Sequence, residues 1–395
     1  MAAKKIIKAL TGASAVAEAM RQINPDMVAC FPITPQTPIM HSFAQYVADG
    51  KVDTEMILVE SEHSAMSAVV GASAAGARAM TATSSNGLAL MHEIVYIAAS
   101  SRLPILMPVV NRALSGPINI HCDHSDSMAE RDSSWMQVYT ENAQEAYDYC
   151  MIALKVAEHK DVNLPFMVCQ DGFITSHSLE RVDILEDSKI RKFIGTYKPK
   201  HSLLDTKNPF TFGPLDLFDF YFEHKRQQSE AMEKALKVFT DTCREYNKLT
   251  GSKYGPFETY HLDDADIAIV TMSSTAGTAK TVVDQLRETG KNVGLLKINL
   301  FRPFPKDMIQ KVLEHVKVIA VLDRSDSFGA EGGPLFMEMK SALYDLKERP
   351  IVAGYIYGLG GREITPPMIK DIYARLEKIT YSKEIPKQVY LGVRE

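Results

Sequence analysis

Short apolar runs alternate with helical stretches along the first 170 residues, and this alternation limits the folds open to the chain. The apolar runs are Met27–Phe31, Glu55–Val59, Arg78–Thr83, Ile105–Val110 and Pro165–Gln170. The helical stretches between them are Ile39–Ala48, Ser61–Ala75 and Leu88–Ser100. Runs of about 4–8 residues separated by helices of about 10–15 residues are typical of βαβ units, whose parallel sheet is buried on both faces. The pattern predicts an α/β domain, although Pro108 weakens the prediction of the fourth strand because proline cannot donate to a β-ladder.

Residues 181–260 break this alternation. Leu185–Phe193 is charged and is predicted to be irregular, and Thr196–Leu215 carries three prolines and predicts an extended connection. A single long helix is predicted from Phe218 to about Thr250. Its apolar stripe, which predicts contact with the core, consists of Phe218, Tyr221, Phe222, Met232, Leu236, Phe239 and Tyr246. Because long irregular connections are uncommon inside one compact domain, we place a domain boundary after residue 250.

A second alternating region begins at Asp266. Its predicted strands are Ile267–Met272, Val293–Ile298, Val316–Leu322 and Ile351–Tyr355, and its predicted helices are Thr275–Arg287, Lys306–Glu314 and Glu331–Leu343. These elements predict a second, smaller α/β domain over residues 251–395. The first domain then covers residues 1–250, including the connection and long helix of residues 181–250.

Charge and cysteine content exclude several classes of protein. With 44 Lys and Arg against 49 Asp and Glu, the net charge is −5, so nothing favours binding to nucleic acid or to an anionic membrane. The five cysteines include no Cys-x-x-Cys pair, which excludes a local zinc or iron–sulfur motif, and their odd number fits a reducing compartment. We find no run of about 18 apolar residues and no signal-peptide core, so we expect a cytoplasmic protein with no nucleic-acid and no membrane partner.

Polar side chains follow four successive runs of the first domain, at the point where each predicted strand ends. Thr34 follows the first run and Glu62 the second. The segment Ser84–Gly87 follows the third run and Arg112 the fourth. The carboxyl ends of parallel strands meet at one edge of a sheet, where the ligands of open α/β sheets bind. We therefore expect these residues to converge on one site.

Each of these residues also has a purely structural interpretation. The prolines around Thr34 stiffen its loop, which either places the hydroxyl for a ligand or only shapes a turn. Glu62 lies in the first turn of a helix that Ser61 can cap, so its carboxylate either interacts with the helix dipole or, if desolvated, shares a proton with a ligand nitrogen. Arg112 either binds a ligand carboxylate bidentately or pairs with a nearby acid of this chain. The nearby acids are Asp123, Asp126, Glu130 and Asp132.

Two further motifs are ambiguous. His121–Asp126 has metal-binding residue types without the spacing of a structural zinc site, so a hydrogen-bonded loop is the alternative. Gly358–Arg362 has the composition of a phosphate-cradling loop, but it follows the last strand of the second domain, which favours a turn with positive φ. The sequence lacks an early G-x-G-x-x-G motif, a P-loop, and the Gly-Asp-Gly and Asn-pair segment expected to anchor a diphosphate through a divalent cation.

Together these segments resemble the alpha subunit of the multi-subunit pyruvate:ferredoxin oxidoreductases, also called pyruvate synthases. The shared segments span nearly the whole chain and are Phe31–Pro35, Val59–His63, Asn111–Ala113, His121–Asp126, Asp171–His177, Phe301–Pro305 and Tyr357–Arg362. Phe31 departs from the tyrosine of many relatives and loses only a hydroxyl. The resemblance implies a thiamine-diphosphate-binding domain of the pyrimidine type, with a parallel sheet, followed by a smaller transketolase C-terminal-like α/β domain.

The resemblance also implies an activity and partners. The enzyme would convert pyruvate and coenzyme A reversibly to acetyl-CoA and CO₂ and reduce ferredoxin. Thiamine diphosphate would be shared with a beta subunit that holds the Mg²⁺ and one [4Fe–4S] cluster. A delta subunit would hold two more clusters, and a gamma subunit would contribute to coenzyme A binding. Partner chains would then supply the phosphate and cysteine motifs that this sequence lacks.

Site roles follow from the same resemblance. Glu62 matches the catalytic glutamate that contacts N1′ of the aminopyrimidine, and Pro32 matches a main-chain contact to the cofactor. Thr34 and Arg112 match residues at the cofactor that hold the carboxylate and keto region of the substrate. The resemblance assigns no metal ligand to this chain.

Two alternatives stay open. One is a related oxidoreductase for 2-oxoglutarate, a branched 2-oxoacid, indolepyruvate or oxalate. The Thr34–Thr37 loop contains no arginine for a second carboxylate, which favours pyruvate. The other alternative is a non-catalytic scaffold subunit, which would tolerate the loss of Glu62 and Arg112.

Overall fold

A computed structural model describes residues 5–384 and 387–394, which form fifteen β-strands and thirteen α-helices. The strands are β1 (Lys5–Thr11), β2 (Met27–Cys30), β3 (Glu55–Leu58), β4 (Ala79–Met80), β5 (Leu106–Asn111), β6 (Met136–Thr140), β7 (Phe166–Asp171), β8 (Leu179–Leu185), β9 (Phe257–Tyr260), β10 (Ile267–Met272), β11 (Val293–Ile298), β12 (Leu300–Arg302), β13 (Val318–Asp323), β14 (Ile351–Tyr357) and β15 (Val389–Leu391). The helices are α1 (Gly12–Ile23), α2 (Thr37–Ala48), α3 (Glu62–Ala74), α4 (Ser85–Leu90), α5 (His92–Ser100), α6 (Ser125–Ala129), α7 (Ala143–Ala157), α8 (Asp187–Ile194), α9 (Tyr221–Thr250), α10 (Thr275–Glu288), α11 (Lys306–Leu313), α12 (Pro334–Leu343) and α13 (Pro366–Ser382).

The first sheet has seven strands in the order β12-β6-β7-β5-β4-β2-β3. All neighbours are parallel except β12 and β6. Strands β2, β5, β6 and β7 are buried along their whole length, as expected for a parallel sheet covered on both faces. Strand β12 comes from residues after the boundary that we place at residue 250, and that boundary stays a prediction.

The second sheet has six strands in the order β15-β14-β13-β10-β11-β9, and only β9 is antiparallel to its neighbour. The described residues form three hydrophobic cores, and one of them contains side chains of both sheets. In this core, Trp135 and Tyr139 of the first sheet region cluster with Ala268 and Val270 of β10. No helix of the described segments is long and apolar enough to cross a bilayer.

We expected Pro108 to disfavour the fourth strand, and this expectation is wrong. Pro108 is buried in β5, a central strand between β4 and β7. Its carbonyl accepts a hydrogen bond from the main-chain N–H of Thr83 at 3.2 Å, and Thr83 follows the two-residue strand β4. The N–H that proline lacks would point to the same side. Because N–H and C=O of one strand residue point to the same neighbour, the ladder between β5 and β7 loses no bond.

Three other local predictions are wrong. Most of Leu185–Phe193 is the helix α8, because Ile190, Phe193 and Ile194 form a buried face between charged residues. The predicted helix Leu88–Ser100 is two helices, α4 and α5, on either side of Met91. The apolar stripe of the long helix is only partly core: Phe239 and Tyr246 are buried, whereas Phe218, Tyr221 and Phe222 are 90%, 57% and 77% exposed. The connection over 196–215 has neither helix nor strand, as predicted.

A buried lysine joins the two halves of the chain. Lys297 on β11 is 1% exposed and donates to Glu141 Oε2 at 2.7 Å and Glu145 Oε1 at 2.6 Å, and its Nζ lies 2.8 Å from Glu258 Oε2. Burial by itself would lower the pKa of Lys297, but the three carboxylates raise that pKa above its ordinary range. Lys280, which is more exposed, lies on the edge of the same cluster and bonds to Glu141 and Glu258.

We predict that Lys297→Met lowers the free energy of unfolding by about 3–5 kcal/mol, because removing one partner of a buried ion cluster leaves uncompensated charge. Chemical denaturation followed by circular dichroism would measure the loss. Lys280→Met is the matched control, and we expect it to cost about 1 kcal/mol because solvent screens its ion pairs. Equal losses in the two variants would contradict the importance of burial at Lys297.

Candidate active site

The carboxyl ends of β2 and β4 mark the point where the first sheet changes direction. From β2 the chain moves outward to the edge strand β3 and then crosses back to β4 on the other side of β2. Ligands of open α/β sheets bind in the crevice at such a switch point. The loops that carry Thr34, Glu62 and Arg112 follow β2, β3 and β5, so the structure brings all three to this edge.

The loop after β2 is anchored by a buried side chain. Gln36 is fully buried; its Nε2 donates to the carbonyl of Ala82 at 3.0 Å, and its Oε1 accepts from the main-chain N–H of Ile33 at 3.4 Å. The loop is therefore tied to the residues that follow β4. Within the loop, Pro32 and Thr34 are exposed, as a contact with a ligand requires.

Glu62 begins α3, and its helix is capped as expected, because Ser61 Oγ accepts from the main-chain N–H of Ser64 at 3.2 Å. The Glu62 side chain is buried against the backbone of α4. A Cβ atom on Gly87 would lie only 2.7 Å from Glu62 Oε1 and 2.6 Å from Thr83 Oγ1. Glycine is thus required where the carboxylate and this hydroxyl meet α4.

Arg112 is 8% exposed, and its guanidinium binds two main-chain carbonyls. Nη1 donates to Thr34 O at 2.8 Å, and Nε donates to Asn119 O at 3.2 Å. None of the carboxylates in the described part of the chain pairs with this guanidinium, so the alternative of an internal ion pair is not observed. A nearly buried guanidinium without an anionic partner is suited to a ligand carboxylate.

Asp126 organises the segments around Arg112. Its Oδ2 accepts from the main-chain N–H groups of Ser85 (2.8 Å) and Arg112 (3.0 Å). Its Oδ1 accepts from Asn111 Nδ2 (2.8 Å) and from the N–H of Ser127 (2.7 Å). Burial raises the pKa of Asp126 to about 6, and these hydrogen bonds to the carboxylate limit the rise. The bond to Ser85 also holds that residue at a left-handed φ of 46°.

The segment His121–Asp126, which has metal-binding residue types, contacts the second domain through a buried group of charged side chains. His124 Nε2 lies 2.7 Å from Asp171 Oδ1, and Arg324 Nη1 donates to Asp171 Oδ2 at 2.7 Å. Burial alone would raise the pKa of Asp171, but the charges of Arg324 and His124 bring it well below its usual range. Cys122 lies close enough to complete a three-ligand set, but Arg324 Nη1 lies 3.8 Å from its Sγ. The guanidinium therefore occupies the place that a cation would need.

Family models and curated relatives match nearly the whole chain. A model described as pyruvate flavodoxin/ferredoxin oxidoreductase, thiamine diphosphate-binding, matches residues 18–243, and one described as pyruvate:ferredoxin oxidoreductase core domain II matches residues 265–369. The pyruvate synthase subunit PorA of Thermotoga maritima is 60% identical over 98% of both chains. The chain belongs to the pyruvate flavodoxin/ferredoxin oxidoreductase family. The family and enzyme class that the sequence predicts are therefore confirmed.

A further relative and a solved structure are also similar to this chain. The ketoisovalerate oxidoreductase subunit VorA of Pyrococcus abyssi is 44% identical over 98% of this chain and 97% of its own. The 2-oxoglutarate:ferredoxin oxidoreductase of Magnetococcus marinus, solved with 2-oxoglutarate, coenzyme A and succinyl-CoA, shares the fold with a TM-score of 0.74 at 21% identity. The match covers 94% of this chain and 65% of that chain. The predicted fold class, a thiamine-diphosphate-binding α/β domain followed by a smaller α/β domain, is confirmed.

The residues at the switch point fit the pyrimidine part of thiamine diphosphate. The hydroxyls of Thr83 and Ser84 are buried and have no hydrogen-bond partner among the described residues. The Thr83 hydroxyl and the Glu62 carboxylate both lie at the backbone of Gly87 in α4, and Ser84 directly precedes this helix. An aminopyrimidine has ring nitrogens and an amino group that can satisfy such groups. The functional roles of Pro32, Thr34, Glu62 and Arg112 stay predictions.

The sequence pattern did not identify several of the residues that build the site. Gln36 and Asp126 act through contacts with residues far along the chain, which spacing does not reveal. Thr83 is the last residue of an apolar run, and only the structure shows that its hydroxyl lies at Gly87 beside Glu62. The only available signal for Asp126 was its position in the His121–Asp126 segment. Asp126 was also one of the four acids named as ion-pair partners for Arg112, and that pair is not observed, because Asp126 accepts from the main-chain N–H of Arg112 and not from its guanidinium. The contacts that the segment makes are hydrogen bonds and ion pairs within the protein, which is the alternative to metal binding named above.

We predict that Gly87→Ala weakens thiamine diphosphate binding and lowers activity by at least about tenfold, because the added Cβ overlaps Glu62 and Thr83. Calorimetric titration with thiamine diphosphate and the rate of the assembled complex would measure both effects. Gly255→Ala is the control, since its Cβ would meet only Phe257 O at 3.6 Å. Tight cofactor binding by the Gly87 variant would show that Glu62 does not need this close contact.

Proposed function

We propose that this chain is the alpha subunit of a thiamine-diphosphate-dependent pyruvate:ferredoxin oxidoreductase. The complex converts pyruvate and coenzyme A reversibly to acetyl-CoA and CO₂ with reduction of ferredoxin. The observation that carries this proposal is the Arg112 guanidinium, nearly buried at the switch point and without a carboxylate partner in the described residues. The carboxylate of a 2-oxoacid supplies that partner in a bidentate geometry.

Each site residue has one task in this proposal. Thr34 and Arg112 bind and orient the carboxylate and keto group of the substrate. Pro32 contacts the cofactor through its main chain, and Glu62 shares a proton with N1′ of the aminopyrimidine. When bound, thiamine diphosphate supplies the electron sink for decarboxylation of the 2-oxoacid. The buried position of Glu62 keeps bulk water away from the shared proton.

The partner chains of the proposal are the beta, gamma and delta subunits, with ferredoxin as the electron acceptor. They hold the Mg²⁺ and the [4Fe–4S] clusters, for which this sequence lacks the diphosphate anchor and the paired cysteines. The gamma subunit contributes to the coenzyme A site, as the family resemblance implies. Exposed aromatic side chains support such partners: Phe218, Phe220 and Phe222 are 90%, 63% and 77% exposed, and exposed apolar patches mark interaction surfaces. The five cysteines are unpaired and buried, in keeping with a cytoplasmic location.

We predict that Glu62→Gln lowers kcat about a thousandfold in the assembled complex, because an amide cannot accept and return the shared proton. Arg112→Ala should raise KM for pyruvate about 10–100-fold, because it removes a charge-assisted hydrogen bond pair. Pyruvate-dependent reduction of ferredoxin measures both parameters. Glu60→Gln is the control: this neighbouring carboxylate is exposed and, among the described residues, its side chain binds only Ser64, so activity should change less than about twofold. Unchanged activity in the first two variants would favour the scaffold alternative.

We predict that pyruvate has the highest kcat/KM in a panel with 2-oxoisovalerate, 2-oxoglutarate, indolepyruvate and oxalate. The loop Thr34–Thr37 offers no cationic group for a second carboxylate, which disfavours 2-oxoglutarate and oxalate. The branched 2-oxoacid is the most informative competitor, because a relative at 44% identity is named for ketoisovalerate. A higher kcat/KM for any other member of the panel would refute pyruvate as the preferred substrate.

A further inference from the structure

The glycine-rich loop Gly358–Arg362 of the second domain lies directly on the segment that follows Arg112. The N–H of Gly361 donates to Cys122 O at 2.6 Å, and the N–H of Gly360 donates to Asp123 Oδ2 at 3.1 Å. In return, Asn119 Nδ2 donates to Gly360 O at 3.1 Å. The loop is therefore engaged by protein groups, and its main-chain N–H groups do not form a phosphate cradle.

The glycines of this loop are required by close approach as well as by backbone conformation. Gly360 has φ of 60°, and a Cβ there would lie 2.4 Å from Asn119 Nδ2. Gly361 has φ of 80°, and its Cβ would lie 2.4 Å from the Cβ of His121. Residues with a side chain are strained at these φ values, and here they would also push the 119–121 segment away.

Asn119 connects this loop to the guanidinium of Arg112. Its carbonyl accepts from Arg112 Nε at 3.2 Å, while its side-chain Oδ1 accepts from the N–H of His121 at 2.7 Å. Arg112 is thus held from two sides, by Asn119 O and by Thr34 O. Residues 115–118, which connect Arg112 to Asn119, are exposed. Asn119 is the residue after them that hydrogen bonds to the second domain.

We propose that the glycine-rich loop of the second domain positions Arg112 through Asn119 and thereby sets the affinity of the site for the 2-oxoacid carboxylate. The inference rests on the role of Arg112 in the proposed function. To bind a carboxylate with two hydrogen bonds, the planar guanidinium must lie at a defined angle to it. A small displacement of the guanidinium is sufficient to lose one of these two bonds to the substrate. Asn119 and Gly360 are positioning residues, which touch neither substrate nor cofactor.

The test uses Asn119→Ala, Gly360→Ala and the double variant in the assembled complex. Each single variant should raise KM for pyruvate about tenfold, the equivalent of one hydrogen bond, with kcat within about twofold and thiamine diphosphate affinity unchanged. The double variant should be no worse than the more affected single variant, because both changes break the same contact. Amide hydrogen exchange over residues 112–124 should be faster in each variant, even without substrate or cofactor.

Asn247→Ala is the matched control, because Asn247 also bridges a loop, through Tyr254 N and O, but binds none of these residues. It should leave KM for pyruvate and exchange over 112–124 unchanged. If Arg112→Ala raises KM while Asn119→Ala changes neither KM nor exchange, the inference is overturned and the proposed function survives. If Arg112→Ala leaves KM unchanged, both fail. Additive effects in the double variant would also overturn the coupling between the loop and Arg112.

Discussion

The fold is organised around a single buried carboxylate, that of Asp171. It ends β7 and receives hydrogen bonds from Arg324, which follows β13, and from Ser273 and Ser274, which follow β10. The carboxyl ends of the two parallel sheets therefore face each other across one acidic group. His124 adds a contact from the segment after Arg112. The relative placement of both domains, and of the loops between them, depends on this junction.

Such a junction contributes more to the geometry of the chain than to its stability. Burying a carboxylate and a guanidinium is costly, and a matched apolar replacement is often as stable or more so. An ion pair with several further hydrogen bonds, however, tolerates few alternative arrangements. Lys297 and its three glutamates form a second buried charge cluster between the same domains. With two such clusters, the domains have little freedom to slide, and the loop after β14 stays on the 119–123 segment.

Much of this architecture and part of the site could be predicted from the sequence. Runs such as Ile267–Met272 became buried strands because their apolar residues are consecutive and their length suits a parallel sheet. Thr34, Glu62 and Arg112 converge because the carboxyl ends of parallel strands share an edge. Asn119 and Asp126 could not be found in this way, since their tasks depend on partners that only the folded chain brings near. Likewise, the apolar pattern around Phe218 cannot tell whether this chain or another one covers it.

Strand β12 makes the first sheet depend on residues from the second half of the chain. Residues Leu300–Arg302 leave the second sheet region and complete the first sheet by pairing with β6, with Leu300 and Phe301 fully buried. A first half that lacks this strand exposes the edge of β6 and its unpaired main-chain groups, which invites aggregation. The two domains are therefore not exchangeable modules. Cutting the chain between its two sheets would separate β6 from the strand that covers its edge.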